Sequence, residues 1–194
     1  MKMLFLIIGA PGSGKTTDAQ LIAQKHEHIT HYSTGDMFRA EVSTGSTLGK
    51  TINEYISVGN IVPIEIAIRT ILAAIKNSPT DVVVIDGYPR SLEQMEALDK
   101  YISTESEVEL VNVIEVEVSE KVARDRVLGR ARGTDDNNEV FNNRMKVYTE
   151  PLAEIQAFYE AKDLLAKVDG ERTIDEIVED IDDFIQAQIS LKEF

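Results

Sequence analysis

The sequence predicts an α/β fold, a five-stranded parallel sheet with helices on both faces, and three observations carry that prediction. Apolar runs at residues 4–8, 28–32, 82–85, 110–118 and 165–168 have strand length, and long helical patterns lie between them. The run inside DVVVID, residues 81–86, is continuous rather than alternating, as in a strand covered on both faces. Near the end of the chain, Ile174, Ile177, Val178, Ile181, Phe184 and Ile185 recur at i, i+3, i+4 spacing and make one apolar helix face. Strands alternating with helices imply a parallel sheet, because the crossover helices cover its faces.

Composition bounds the rest. A chain of 194 residues suits one domain with a sizeable core. No apolar run approaches the roughly 18 residues of a membrane span, so no membrane partner is expected. The opening MKMLFLII reads as a strand entering a loop rather than as a leader peptide, since no small-residue cleavage site follows it. The absence of cysteine removes disulfides, thiolate zinc sites and thiol nucleophiles together, and it fits a cytoplasmic protein. A net charge of −14 argues against nucleic-acid binding, which asks for a broad basic face. Yet five of the nine arginines, Arg124, Arg126, Arg130, Arg132 and Arg144, fall within 21 positions. Such a cluster is either a solvated helix face or a local anion site in an otherwise acidic molecule.

Taken in order, the first strand runs into Gly9-Ala-Pro-Gly-Ser-Gly14-Lys15-Thr16, the pattern G-x-x-x-x-G-K-[ST] between a strand and a helix. Glycines let the backbone turn and approach a ligand, so that successive N–H groups point into one concavity and take phosphate oxygens. The helix that follows adds its positive end. Lys15 reaches terminal phosphates, and the Thr16 hydroxyl is a candidate Mg²⁺ ligand. These features give the fold its type, that of P-loop NTPases. The next strand is weak, and residues 34–75 form a mostly helical insertion before the third strand. That strand ends in Asp86, a second candidate Mg²⁺ ligand at the tip of a neighbouring parallel strand. Gly87-Tyr88-Pro89-Arg90 then makes a stiff turn bearing an arginine, suited to bidentate contact with another phosphate. Ser33, Thr34 or Asp36 caps the helix that carries Arg39. RARGTDD, residues 130–136, is a short polar flap. His26, His28 and His31 read as surface or packing residues.

GAPGSGKTT, STGDMFRAEVSTGSTLGK, GNIVP, DGYPRSLEQ, RVLGRARG and DDNNEVFNNR, in this order and spacing, resemble the adenylate kinase family nearly end to end. The resemblance implies reversible transfer of the γ-phosphoryl group of MgATP to AMP, giving two ADP. It implies a core of residues 1–33, 63–129 and 137–194, an AMP-binding subdomain at 34–62 and a lid at 130–136. It places Gly12, Ser13, Gly14, Lys15, Thr16 and Thr17 around the ATP phosphates, with Arg126, Arg130 and the backbone of Arg172 also on ATP. Thr34, Arg39 and Gln94 would contact AMP, as would the backbone of Asn60, Ile61 and Val62. Gly87, Tyr88, Pro89 and chiefly Arg90 would hold its phosphate. Arg132 and Arg144 would close on the transferring group, positioned by Asp135 and Asp136. Lys15, Arg90, Arg126, Arg130, Arg132 and Arg144 are the implied catalytic set.

Two departures stand out. The family usually has Gly and Gln where this chain has Thr16 and Asp18. The short lid lacks the cysteines of zinc-bearing lids, so Mg²⁺ with the nucleotide is the only metal expected, and the short-lid form suggests a monomer. The nearest rival is a UMP/CMP kinase, against which Thr34 and Gln94 favour AMP. A nucleotide-dependent switch is a rival of another class; GTP switches generally carry N-K-x-D, and this chain has no Asn-Lys pair.

Overall fold

The computed structural model describes residues 1–105, 107–130 and 136–192. Thirteen elements follow one another: β1 (Lys2–Gly9), α1 (Lys15–Lys25), β2 (Ile29–Ser33), α2 (Thr34–Ser43), α3 (Thr47–Ile56), α4 (Ile64–Asn77), β3 (Val82–Asp86), α5 (Leu92–Thr104), β4 (Val108–Glu117), α6 (Glu120–Arg130), α7 (Asn138–Ala161), β5 (Leu165–Asp169) and α8 (Ile174–Lys192). The five strands form one sheet in the order β2-β3-β1-β4-β5, and every pairing is parallel, as the sequence predicts.

Central β1 and β3 are the apolar runs LFLII and VVVI, and both are buried on both faces. One core lies on the face covered by α4, α5 and α7, with Leu4, Leu6, Val83, Ile85, Ile71 and Tyr159 in it. The other lies under α1 and α8, where Phe5, Ile7, Val84, Ile22, Ile181 and Ile185 meet. Burying such side chains stabilises by about 1.5–3 kcal/mol each. Ion pairs such as Lys121–Asp125 stand in solvent, where water and salt screen them, so the two apolar layers hold the sheet.

The edges differ from the sequence reading by a residue or two. β3 ends in Asp86, where the sequence places the carboxylate, one residue past its apolar run. β4 starts at Val108, and its register against β1 shifts between Leu4 and Phe5. That irregularity lets Val111 and Val113 serve opposite cores and leaves the buried Asn112 to donate to Leu164 O at 3.2 Å. Pro151 sits inside α7, a 24-residue helix that local pattern alone would have broken.

Candidate active site

Parallel strands bring their C-terminal ends, and the loops that leave them, to one rim of the sheet. β1 exits into the phosphate-binding loop. Gly12 (φ 82°) and Gly14 (φ 93°) both take the left-handed conformation that side chains resist. A Cβ on Gly12 would also lie 2.4 Å from Ala123 O. Helices α2, α3, α5 and α7 each begin on a side-chain cap, from Ser33, Ser46, Ser91 and Asn137. Helix α1 instead begins on Gly14 with no side-chain cap, so its first N–H groups remain available to an anion.

Two cavities meet at Lys15. A narrow cleft of about 50 Å³ is lined by Lys15, Arg90, Arg144, Asn60, Ile61 and Tyr148, among others. A wider cavity of about 490 Å³ opens on the other side of the loop, walled by Ser13, Thr16, Thr17, Arg126, Arg130 and Arg172, with Gly12 and Gly14 at its base. Lys15 donates to Ala10 O at 3.3 Å. Burial first, and Arg90 second, push its ammonium down to about 7, with Asp86 opposing. Arg39, Arg90, Arg144 and Asn60 line a smaller recess beside the cleft.

The cations are aimed by neighbours. Arg90 Nε donates to Gly87 O at 2.8 Å, and its backbone N–H donates to Gln94 Oε1 at 2.7 Å. Tyr88 is fully buried and gives its hydroxyl to Gln94 O at 2.6 Å, so its side chain belongs to the core beneath the turn. Val62 is also buried, and its side chain belongs to the core. Arg39 pairs with Asp36 at 2.5 Å. Arg130 makes two bonds to Asp136, from Nε at 3.0 Å and Nη2 at 2.9 Å, and Arg144 lies 3.8 Å from the same carboxylate. Arg126 reaches the carbonyls of Gly12, Ser13 and Gly170, so it braces the loop from below. Arg172 pairs with Asp180 at 2.6 Å. Arg132 and Asp135 lie outside the described residues.

Thr16 and Asp86 do come together. Thr16 Oγ1 donates to Asp86 Oδ1 at 2.8 Å. The other carboxylate oxygen receives a residue the sequence reading assigned elsewhere: His31 Nε2 lies 2.6 Å from Asp86 Oδ2, with its ring only 11% exposed. His31 is therefore not a surface or mere packing residue, and that expectation is corrected. The cause is register: β2 pairs with β3 so that Ser33 faces Asp86, which brings His31, two residues earlier on the same face, beside the carboxylate. A histidine at period two from a polar strand end was the only local signal. Burial alone would raise Asp86, but the His31 bond and the Lys15 charge more than offset it and hold the carboxyl below its ordinary value. His26 does pair at the surface, with Asp182 at 2.7 Å.

Three buried oxygens on this rim, Ser13 Oγ, Asp18 Oδ2 and Thr34 Oγ1, have no hydrogen-bond partner among the described residues. Buried polar atoms are nearly always paired, so each of them suits contact with a polar ligand. The hydroxyl–carboxylate pair of Thr16 and Asp86 is a hard-oxygen set suited to Mg²⁺. Among the described residues no group of three or more His, Cys, Asp or Glu side chains could hold a metal unaided, so further ligands would come from a bound anion and water.

An uncapped helix start behind glycines, with cations on both banks, places the molecule among the P-loop nucleotide-handling α/β proteins. Comparison with known proteins narrows the class. The family model described as Adenylate kinase matches residues 7–164. A relative named Adenylate kinase from Wolinella succinogenes is 65% identical over 97% of this chain and 100% of its own length. Relatives of the same name from Nautilia profundicola, at 62% over 98% of this chain and 100% of their own length, and Helicobacter hepaticus, at 61% over 97% and 100%, agree. The chain belongs to the adenylate kinase family, a family of enzymes. No helix among the described residues is long and apolar enough to cross a membrane.

Proposed function

We propose that this chain catalyses reversible transfer of the γ-phosphoryl group of MgATP to AMP, giving two ADP, and so maintains the balance of adenine nucleotides. The observation that carries this reading is that Lys15 and Arg90 line one narrow cleft, with Arg144 beside them. A donor held on the phosphate loop and an acceptor held by Arg90 would meet there end to end. In this reading the wider cavity takes ATP, through Gly12, Ser13, Gly14, Thr16 and Thr17, with Arg126, Arg130 and the Arg172 backbone along it. AMP lies by Thr34, Arg39, Asn60, Ile61, Val62, Gln94 and the turn from Gly87 to Arg90. The buried, unpartnered Thr34 hydroxyl supports that placement. Residues 34–62 are the acceptor subdomain and 130–136 the lid, with Arg132 in it.

Thr16 and Asp86 would hold Mg²⁺ together with nucleotide oxygens, and the ion supplies charge neutralisation on the phosphates. The acceptor phosphate is already anionic, so no general base is needed. The protein's task is alignment and charge compensation between two polyanions. Lys15 and the arginines perform it, and closure of the lid would keep water out. No zinc enters this reading.

Initial rates with ATP and a panel of AMP, CMP, UMP and GMP test it. Turnover that depends on AMP and exceeds the pyrimidine acceptors supports the reading; preference for CMP or UMP, or turnover without acceptor, overturns it. A second outcome concerns Lys15. At pH 8 its amine is largely neutral in the free enzyme, and a polyphosphate beside it restores the proton. Calorimetry of ATP binding in buffers of different ionisation enthalpy should therefore report uptake of up to about one proton, lost in Lys15→Met. The same reading includes a monomer acting in the cytoplasm, which the cysteine-free composition fits and light scattering checks for the monomer.

A further inference from the structure

We propose that the buried carboxylate of Glu115 is a positioning residue that, through Tyr148 and Gln156, fixes the stretch of α7 bearing Arg144. This rests on Arg144 acting in the cleft as read above.

Glu115 lies near the end of β4, paired in register with Ile8 just before the phosphate loop, and is 2% exposed. No cation pairs with it among the described residues. Gln156 Nε2 donates to both of its oxygens, at 3.0 and 2.9 Å, and the Tyr148 hydroxyl reaches Oε1 at 3.3 Å. Burial, then the Glu115 charge, raise the Tyr148 phenol above its ordinary value, so it stays a donor.

These two donors come from opposite sides of Pro151. Proline has no N–H, so the carbonyl of Val147, four residues earlier, loses its helical partner and α7 is weakened at that point. Arg144 is on one side of the break. The large core anchors Ile155 and Tyr159 are on the other. Glu115 joins the two sides to the sheet. Tyr148 follows Arg144 by one helical turn, shares its face and lines the same cleft. An apolar residue would fill this buried spot without the desolvation cost of an unpaired carboxylate, which points to a demand beyond packing.

The test is a double-mutant cycle. Glu115→Gln and Tyr148→Phe are each made in the parent and in Arg144→Lys, with kcat, both KM values and thermal midpoints measured. Each single change is expected to lower kcat about three- to tenfold, with the KM for ATP within about twofold and the midpoint within about 3 °C. In Arg144→Lys the same changes should cost less than about twofold, because the group they position is already compromised. Equal losses in both backgrounds, no loss in either, or losses that track the midpoint overturn the inference alone. If Glu115→Gln does not fold, Tyr148→Phe completes the cycle. Full activity of Arg144→Lys overturns the role of Arg144 itself, and this inference with it.

Discussion

Arg90→Ala should lower turnover with AMP by about 10³-fold or more while the protein stays folded. A well-placed arginine in phosphoryl transfer is worth about 10³–10⁵ in rate. Arg90 is built for that placement: its turn is set by the Gln94 side chain, and its Nε is tied to Gly87 O. Alanine keeps the backbone bond to Gln94 and the buried Tyr88, so the turn itself survives. Among the described residues the variant loses one side-chain hydrogen bond, from Nε to Gly87 O, a stability cost of about 0.5–1.5 kcal/mol, together with the attraction of Asp86. Arg90→Lys restores the charge without the planar fork and should recover only part of the loss. Coupled-assay rates beside urea unfolding of the same samples decide the matter. A variant within about tenfold of the parent would show that the acceptor phosphate is held elsewhere.

Asp18→Asn should stabilise the free protein at pH 8 and do nothing for it at pH 4. Asp18 stands on the first turn of α1, only 2% exposed, with Oδ2 unpartnered among the described residues. Burial pushes its carboxyl from 3.8 up to about 7, with Arg126 and Lys15 opposing. Between those values the native chain keeps the proton that the unfolded chain has released. The unfolded state then binds fewer protons, so stability falls as pH rises through the window. Above it the native state carries a buried charge that asparagine removes, a gain on the order of 2–4 kcal/mol. Lys15 runs the other way. Held down at about 7 from 10.5, it makes stability rise with pH above that point, so the two residues act in separate windows. Urea unfolding of parent and variant from pH 4 to 8 checks this; parallel stability curves would be incompatible with it.

Much of the fold was legible because it rests on patterns within single segments. The β-branched run at 82–85 reads as a strand covered on both faces, and the spacing from Ile174 to Ile185 reads as one helix face on a core. The phosphate loop was legible for the same reason, since its chemistry lies in contiguous residues. What was not legible depends on register between distant strands and helices. His31 meets Asp86 across 55 positions, and Arg126 braces Gly12 across 114. Tyr148 and Gln156 find Glu115 only once α7 packs against the sheet. Nothing local to those residues distinguishes them from solvated polar side chains. Asp18 was visible as an unusual residue, but its burial was not.

The uniform direction of the five strands has an evolutionary corollary. Every strand empties onto the same rim, while the apolar layers that keep the molecule folded lie behind it. The turns after β2 and β3 face the acceptor as read here, and those after β1 and β5 face the donor. Changes at the cleft-facing positions of one set of turns leave the other set untouched, provided Phe38, Ile52 and Val62 keep their places in the core. Swapping the stretch from Thr34 to Val62, together with Gln94, for their counterparts from a pyrimidine-selective relative would then re-address the enzyme to a new acceptor without teaching it a new donor.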